Sequence, residues 1–203
     1  MFEKTVLDRE LVKLGELAPK GYFVALHIRF TSPLMSFQTY DPKWTDHYTE
    51  NGYVLRDPMT AWGFCTTGWT RWSNRIIPDP FGIFKEAASY GLTYGATISC
   101  GPIRSRTIVS VARADREFDD SEINMAQAIA NQLHDMSEPP HRLTKAQAEA
   151  LKMIADGYRH AAAAATIGIS ESALKARLTA AREKLMARTT AEAIQRAKDY
   201  GLL

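Results

Sequence analysis

Two adjacent prolines, Pro139 and Pro140, interrupt the chain about two-thirds of the way along its 203 residues. Proline has a fixed φ and no backbone N–H, so neighbouring prolines fit neither a helix interior nor a central strand. We therefore predict a linker at residues 137–142. It separates an N-terminal domain at residues 1–136 from a C-terminal domain at residues 143–203.

Charge divides at the same place. Residues 1–138 carry 14 Lys and Arg against 17 Asp and Glu, whereas residues 139–203 carry 11 against 6. The formal net charge of +2 therefore combines a balance of −3 with a balance of +5. A basic part beside an acidic part suggests a division of labour in which the basic part meets a polyanion.

The N-terminal domain alternates irregularly between helical and extended patterns. Apolar spacing, capping residues and Asp-Pro pairs predict helices at residues 6–17, 42–51, 57–64, 80–90 and 119–136. Runs of strand-forming residues predict strands at residues 21–30, 35–39, 96–100 and 107–112. Because some strands follow one another directly, we expect an antiparallel sheet covered by helices on both faces, an α/β/α sandwich.

The C-terminal domain is predicted to be all helical, which makes the whole chain α+β. Thr144 with Gln147 and Thr189 with Glu192 form capping boxes for the first and last of four helices. Between them, an Ala-rich helix at residues 161–167 and a tight turn lead to Ser170, which caps a basic helix. A helix, a small turn and a capped basic helix form the layout of a helix-turn-helix. The alternative from the pattern alone is a small solvated helical bundle.

Large aromatic residues are dense between positions 40 and 73. Tyr40, Trp44 and Tyr48 recur every four residues, so a helix would bring them towards one face. Asp57 and Trp72 follow. Tyr and Trp combine an apolar body with one polar tip, which suits a pocket wall that must also hydrogen-bond its contents. An aromatic core with satisfied polar tips is the alternative at this point.

Several classes of protein are disfavoured by composition. Two cysteines, Cys65 and Cys100, form neither a disulfide framework nor a zinc cluster, and no metal or cofactor is expected. No apolar run has transmembrane length and the N-terminus has no signal pattern, so we expect a cytoplasmic protein without membrane contact. An acyltransferase or lactonase using either cysteine with His27 or His47 lacks a supporting local motif.

The C-terminal residues resemble the LuxR family of quorum-sensing transcription factors. The matching positions are Leu143-Thr144, Leu151, Ala155-Asp156-Gly157, Ile169-Ser170, Leu174-Lys175 and Lys184-Leu185. Gln147 and the run beginning at Ala162 depart from acidic residues in the family pattern. The resemblance implies base contacts by Ser172, Lys175 and Thr179, and phosphate contacts by Arg177, Arg182 and Lys184.

The N-terminal half resembles the autoinducer-binding domain of the same family. The family spacing is reproduced by Trp44, Tyr48, Asp57-Pro58 and Trp72. Tyr40 precedes Trp44 by four residues, as a Tyr does in the family, and Ser110 falls at a strand position where family members have Ser or Thr. The implied ligand is an N-acyl homoserine lactone. Asp57 would accept from its amide N–H and Trp44 would donate to the lactone carbonyl.

The remaining ligand contacts follow from the same resemblance. Tyr40 would donate to the acyl carbonyl with help from Ser110, while Tyr48 and Trp72 would wall the ring and the start of the chain. The candidate acyl-chain residues are Met59, Trp62, Phe64 and Trp69.

The implied function is a ligand-responsive transcription factor that binds promoter DNA as a homodimer. The helix at residues 119–136 is a candidate for the dimer contact, and RNA polymerase is a candidate partner. The alternative is a homologue that is impaired in DNA binding or independent of ligand and acts as an inhibitory dimer partner. The departures at Gln147 and Ala162 favour this alternative slightly.

Overall fold

The computed structural model describes residues 4–29, 32–137 and 142–203. The chain forms two compact units, Met1–Glu138 and Pro139–Leu203. The boundary between them falls within the predicted linker, of which residues 138–141 lie outside the described residues, as does Phe30 of the predicted first strand.

In its described residues, the first unit has five α-helices and five strands. In chain order they are α1 (Lys4–Leu17), β1 (Tyr22–Ile28), β2 (Met35–Gln38), α2 (Pro42–Glu50), α3 (Pro58–Cys65), β3 (Gly68–Arg71), α4 (Ile83–Ser89), β4 (Tyr94–Cys100), β5 (Arg106–Arg113) and α5 (Asp120–Met136). A short 3₁₀ helix at Tyr53–Leu55 lies between α2 and α3.

The strands form one antiparallel sheet in the order β2-β1-β5-β4-β3. Residues directly opposite each other on neighbouring strands point to the same face, so the register separates the two faces. One row consists of Gln38, Phe23, Ser110, Thr97 and Thr70. The adjacent row, on the other face, consists of Phe37, Val24, Val109, Ile98 and Trp69.

Helices α1 and α5 cover the second row and complete the largest apolar core. Its helix residues include Leu7, Leu11, Leu14, Ile123, Ala126, Ala130 and Leu133. Burial of each large apolar side chain contributes about 1.5–3 kcal/mol, so this layer supplies most of the hydrophobic stabilisation of the unit. The first row faces α2, α3 and α4, which confirms the predicted α/β/α sandwich.

Two elements differ from the sequence predictions. Strand β3 was not predicted, because four residues at a sheet edge that include one Trp carry too little alternation to be recognised. Helix α4 was predicted from Pro80 but begins at Ile83. The reason is that the Asp79 carboxylate accepts from the backbone N–H groups of Ile83 at 3.0 Å and Phe84 at 2.9 Å. It caps the first turn from four residues away.

The described part of the second unit forms four helices, as predicted. They are α6 (Lys145–Ala155), α7 (His160–Thr166), α8 (Glu171–Lys184) and α9 (Thr190–Asp199). Leu151, Leu174, Leu178 and Leu185 form its core together with six small alanines, which let the helices approach closely. Across residues 4–29, 32–137 and 142–203, no helix has the length and apolar character needed to cross a membrane.

The family departures in the second unit leave its packing intact. The Gln147 side chain accepts from the Thr144 N–H at 3.0 Å and completes the capping box at the start of α6. Ala162 lies on the exposed side of α7, outside the core.

Candidate ligand-binding site

A cavity of about 420 Å³ lies between the sheet and the helices α2, α3 and α4. A volume of this size is in the range of small-molecule sites in proteins. Eight of the predicted ligand residues line it: Tyr40, Trp44, Tyr48, Asp57, Met59, Phe64, Trp72 and Ser110. The structure therefore brings together residues that are up to 70 positions apart in the chain.

Asp57 supplies the carboxylate of the cavity. As the N-cap of α3, it accepts from the Met59 N–H through Oδ1 at 2.8 Å. Its Oδ2 accepts from the Tyr48 hydroxyl at 2.8 Å and from the Thr60 hydroxyl at 3.3 Å. Burial raises the pKa of Asp57 above its ordinary value, while these three donors act in the opposite direction. The carboxylate faces the cavity, and the helix start fixes its position.

The two tyrosines differ in how their hydroxyls are used. Tyr48 donates to Asp57, whereas Tyr40 donates to the backbone carbonyl of Ser110 at 3.1 Å. Burial raises the pKa of both phenols, with the Asp57 charge acting in the same direction, so both stay protonated donors. Tyr40 was predicted to donate to a ligand carbonyl. In the structure, the phenol hydrogen is donated to the Ser110 carbonyl instead.

Trp44 is buried on α2 among other rings. Its indole centroid lies 5.7 Å from that of Tyr48 and 5.4 Å from that of Tyr90. These spacings are typical of favourable aromatic pairs. Among the residues that the structure describes, none accepts a hydrogen bond from Trp44 Nε1. The indole N–H is therefore an open donor at the cavity wall.

Trp72 rests on β4, where a glycine makes room for it. A Cβ on Gly95 would lie 2.2–2.5 Å from atoms of the Trp72 indole, so only glycine allows this approach. The indole Nε1 donates to Thr97 Oγ1 at 3.0 Å, and Thr97 Oγ1 lies 2.9 Å from Ser110 Oγ. Ser110 faces the cavity on β5, while Thr97 is fully buried behind it.

The other end of the cavity is apolar. Phe23, Ala25 and Ile28 of β1 line it together with Ile108 of β5 and Phe64 of α3. None of these strand residues was predicted as a ligand contact, because face assignment requires the sheet order. The register supplies it: Phe23 pairs with Ser110 and Ala25 with Ile108, so all four point to the same face.

Two predicted chain-pocket residues, Trp62 and Trp69, do not line the cavity. Trp69 pairs with Ile98 in β4 and packs against the core on the opposite face of the sheet. The two-residue period of a strand places it there. Trp62 lies half-buried on α3, away from the cavity.

Comparison with known proteins identifies the family. The family model of the autoinducer binding domain matches residues 27–136, which is more than half of the chain. The chain belongs to this family. The matched residues contain the Asp57 cap, the aromatic wall, strands β2 to β5 and the last two residues of β1.

Curated relatives of this chain are transcription regulators. The transcriptional activator RaiR of Rhizobium etli is 29% identical over 182 residues, covering 80% of this chain and 74% of the relative. The quorum-sensing regulator RhlR of Pseudomonas aeruginosa is 29% identical over 185 residues, covering 82% and 75%. The chain is a LuxR-family regulator of the quorum-sensing type. Members of this family are transcription regulators and not enzymes.

Solved structures share the fold. The crystal structure of Escherichia coli SdiA is similar with a TM-score of 0.57 and 20% identity, covering all of this chain and 92% of that one. SdiA in complex with octanoyl-rac-glycerol is similar with a TM-score of 0.52 and 18% identity, covering 97% and 88%.

Within the part of the chain that the structure describes, neither cysteine pairs with a histidine as a nucleophile with its base. Cys65 is exposed, and Cys100 Sγ donates to the Ala130 carbonyl at 3.8 Å. Burial raises the pKa of the Cys100 thiol to about 12, so it is protonated at neutral pH. His27 bonds to Ser105 and to the end of α5, and His47 bonds to Glu86.

The predicted DNA-contact residues of the LuxR-family regulator separate into two sets. Ser172 and Lys175 are exposed and Thr179 is half-buried, and their spacing of three and four residues puts them on one side of α8. Lys184 is exposed near the end of α8. Among the described residues, Lys175 and Lys184 have no side-chain partner, whereas Ser172 Oγ lies 2.9 Å from Ser170 Oγ and Thr179 Oγ1 accepts from a neighbouring arginine.

Arg177 and Arg182 already have internal partners. Arg177 Nη1 lies 3.5 Å from the Glu149 carboxylate of α6. Arg182 Nη2 donates to Thr179 Oγ1 at 3.2 Å and Nη1 to the Arg188 carbonyl at 3.5 Å. Both side chains therefore join helices or loops within the unit, a role that the sequence did not indicate.

Proposed function

We propose that this regulator binds an N-acyl homoserine lactone in the cavity of its first unit. The observation that carries the proposal is the set of polar groups open to the cavity. Asp57 offers carboxylate oxygens, Trp44 offers an indole N–H without an acceptor among the described residues, and Ser110 offers a hydroxyl. The rest of the wall is mostly apolar.

The acyl homoserine lactone carries the complementary groups. Its amide N–H matches Asp57, its lactone carbonyl matches Trp44 Nε1, and its acyl carbonyl matches the Ser110 hydroxyl. Tyr40 would join this contact by turning its hydrogen from the Ser110 carbonyl to the acyl carbonyl. Its alkyl chain matches the apolar end formed by Phe23 and Ile108. A charge-assisted bond to Asp57 is stronger in this enclosed site than in water, because the local dielectric constant is low.

The SdiA complex suggests the competing ligand. Octanoyl-rac-glycerol has an acyl chain and an ester carbonyl but no amide N–H. If this chain binds such a glycerol ester as tightly as N-octanoyl homoserine lactone, the role given to Asp57 is wrong. Calorimetric titration of the purified protein with both compounds tests the point. We expect the lactone to bind about tenfold more tightly, since hydrogen bonds to charged groups contribute about 1.5–3 kcal/mol.

A matched pair of tryptophan variants localises the binding. Trp44→Phe keeps an aromatic ring and removes the N–H, so we expect lactone affinity to fall roughly tenfold. Trp62→Phe makes the same chemical change outside the cavity and should leave affinity unchanged. Equal losses in the two variants would count against the proposed orientation.

We further propose that the second unit binds promoter DNA as part of a homodimer. Ser172 and Lys175, which are exposed, and the half-buried Thr179 lie on one side of α8 and support this proposal, together with the basic balance of residues 139–203. In a helix-turn-helix, α7 and α8 would be the paired helices, and the start of α8 would enter the major groove. Two half-sites about one helical turn apart would then match a two-fold dimer.

A gel-shift experiment with DNA from the upstream region of the gene tests this part. Lys175→Ala should weaken binding and reduce its salt dependence, because a lysine near DNA releases counterions on binding. Lys152→Ala, which removes an exposed lysine from α6, serves as the control. A dimer that binds lactone but no DNA would instead support an inhibitory partner, the alternative function.

A further inference from the structure

Thr97 lies behind the cavity wall, and its hydroxyl oxygen accepts a hydrogen bond from the Trp72 indole. This contact determines where the hydrogen of the Thr97 hydroxyl points. Trp72 Nε1 donates to Thr97 Oγ1, and an indole nitrogen is a donor only. The Thr97 hydroxyl is fully buried, and its one other partner in the described part of the chain is Ser110 Oγ. A buried hydroxyl hydrogen needs an acceptor, so Thr97 donates to Ser110.

The consequence appears at Ser110. Its Oγ accepts from Thr97, and no described residue accepts the hydrogen of its own hydroxyl. Because Ser110 lines the cavity and Thr97 does not, that hydrogen is available to a bound molecule. The chain of contacts from the Trp72 indole through Thr97 to Ser110 therefore turns the Ser110 hydroxyl hydrogen away from Thr97.

We propose that Thr97 is a positioning residue that makes Ser110 a hydrogen-bond donor to the acyl carbonyl of the ligand. This inference rests on the proposed lactone site and adds a residue that makes no contact with the ligand itself. Without the Thr97 hydroxyl, Ser110 is free to rotate and loses the partner that orients it. The site then discriminates less well between strong and weak acceptors at that point of the ligand.

A ligand pair with different acceptors tests the proposal. N-octanoyl homoserine lactone is compared with its thioamide analogue, in which sulfur replaces the acyl oxygen and accepts hydrogen bonds more weakly. Calorimetric titration gives the affinity ratio for the wild-type chain and for Thr97→Val, which keeps the shape but removes the hydroxyl. Thr97→Ser keeps the hydroxyl and is the conservative control, and Ser110→Ala removes the donor itself.

We expect the wild type and Thr97→Ser to prefer the oxygen ligand by about fivefold to tenfold, the value of one hydrogen bond. Thr97→Val and Ser110→Ala should each lose most of that preference, and the double variant should lose no more than either single variant. A residue with only a structural role would weaken both ligands equally.

Two outcomes would overturn the proposal. The first is an unchanged preference in Thr97→Val when its folding, measured by thermal unfolding, is intact. The second is a double variant whose loss equals the product of the single losses. A wild-type chain that binds neither compound would instead overturn the proposed lactone function on which this inference rests.

Discussion

Asp57 uses its two carboxylate oxygens for different purposes. Oδ1 caps α3 through the Met59 N–H, and Oδ2 holds the Tyr48 hydroxyl at the cavity. Its pKa is raised by burial, which means that the folded state favours the protonated acid. The contribution of Asp57 to stability is therefore greatest below the ordinary pKa of an aspartate and is lost as the pH rises through the folded pKa. At neutral pH, an ionised Asp57 lowers the stability of the empty domain.

Asp57→Asn separates stability from ligand binding. Asparagine caps helices about as well as aspartate and carries no charge, so we expect the unliganded variant to unfold at a higher temperature at neutral pH. Lactone affinity should fall by about tenfold to a hundredfold, because the charged acceptor is lost. Thermal unfolding and titration of the same sample measure both effects. A lower unfolding temperature together with unchanged affinity would contradict the role assigned to this carboxylate.

His27 is buried with both ring nitrogens engaged. Nδ1 lies 2.8 Å from Ser105 Oγ and Nε2 lies 2.9 Å from the His134 carbonyl, and the rings of His27 and His134 stack at 4.2 Å. Burial, reinforced by His134 and Arg29, lowers the pKa of His27 to about 4 from its ordinary 6.5. The folded state thus favours the neutral ring. Its contribution to stability is lost as the pH falls from about 6.5 towards 4.

We expect the free energy of unfolding to fall by about 2 kcal/mol from pH 7 to pH 5, because His27 is protonated in the unfolded chain but not in the folded protein over that range. Urea unfolding at the two pH values measures it. His27→Asn should show a smaller pH dependence, and asparagine tolerates the positive φ of 50° found at this position. His160→Asn, which changes an exposed histidine, should retain the dependence of the wild type.

Strand β4 and the segment after β3 meet at Gly95, where the Trp72 indole occupies the space of a side chain. Gly95→Ala must displace that indole, so we expect weaker lactone binding and a loss of about 1–3 kcal/mol in the free energy of unfolding. Gly15→Ala is the matched change. Gly15 lies within α1, and the added Cβ would be 3.7 Å from the Tyr22 ring, an ordinary van der Waals distance.

Alanine is a better helix former than glycine, so Gly15→Ala should stabilise the protein by about 0.5–1 kcal/mol. Denaturant titration distinguishes the two variants. If Gly95→Ala were as stable as the wild type and kept full lactone affinity, the position of Trp72 could not matter for the site.

Elements with local signals were predictable from the sequence, and those fixed by tertiary pairing were not. The Asp41, Asp57 and Asp119 caps each begin a helix in the structure, because a cap acts on backbone N–H groups two or three residues away. By contrast, β3 is defined by its pairing with β4. The start of α4 depends on Asp79 reaching across a loop.

The same distinction between local signals and tertiary pairing explains which residues of the site could be predicted. Residues within one helix or at a cap, such as Trp44 and Asp57, follow from spacing in the sequence. The contribution of Phe23 and Ile108, and the exclusion of Trp69, depend on strand order and register. Thr97 was missed for a further reason: it lies behind the cavity wall and acts only through Ser110.

At the scale of the whole molecule, each unit has its own apolar core. All four tryptophans lie within residues 44–72, so tryptophan fluorescence reports on the first unit alone. We expect lactone at a hundred times its dissociation constant to stabilise that unit by about 2.7 kcal/mol. Circular dichroism, which also follows the helices of the second unit, should contain a phase that the lactone does not shift.

Equal shifts of both signals at every lactone concentration would show instead that the two units unfold together. Octanoylglycerol at the same concentration serves as the comparison, and the shift it produces should be smaller.

The two ends of the cavity are built from different kinds of structure. At the polar end, the Asp57 carboxylate also starts a helix, so a change there disturbs the backbone as well as the contact. At the apolar end, Ala25, Ile28 and Ile108 are side chains on strands whose backbone pairing does not depend on their size. Exchanging one aliphatic residue for another at this end can therefore change which acyl-chain length the cavity accepts, while the contacts to the head group of the ligand stay the same.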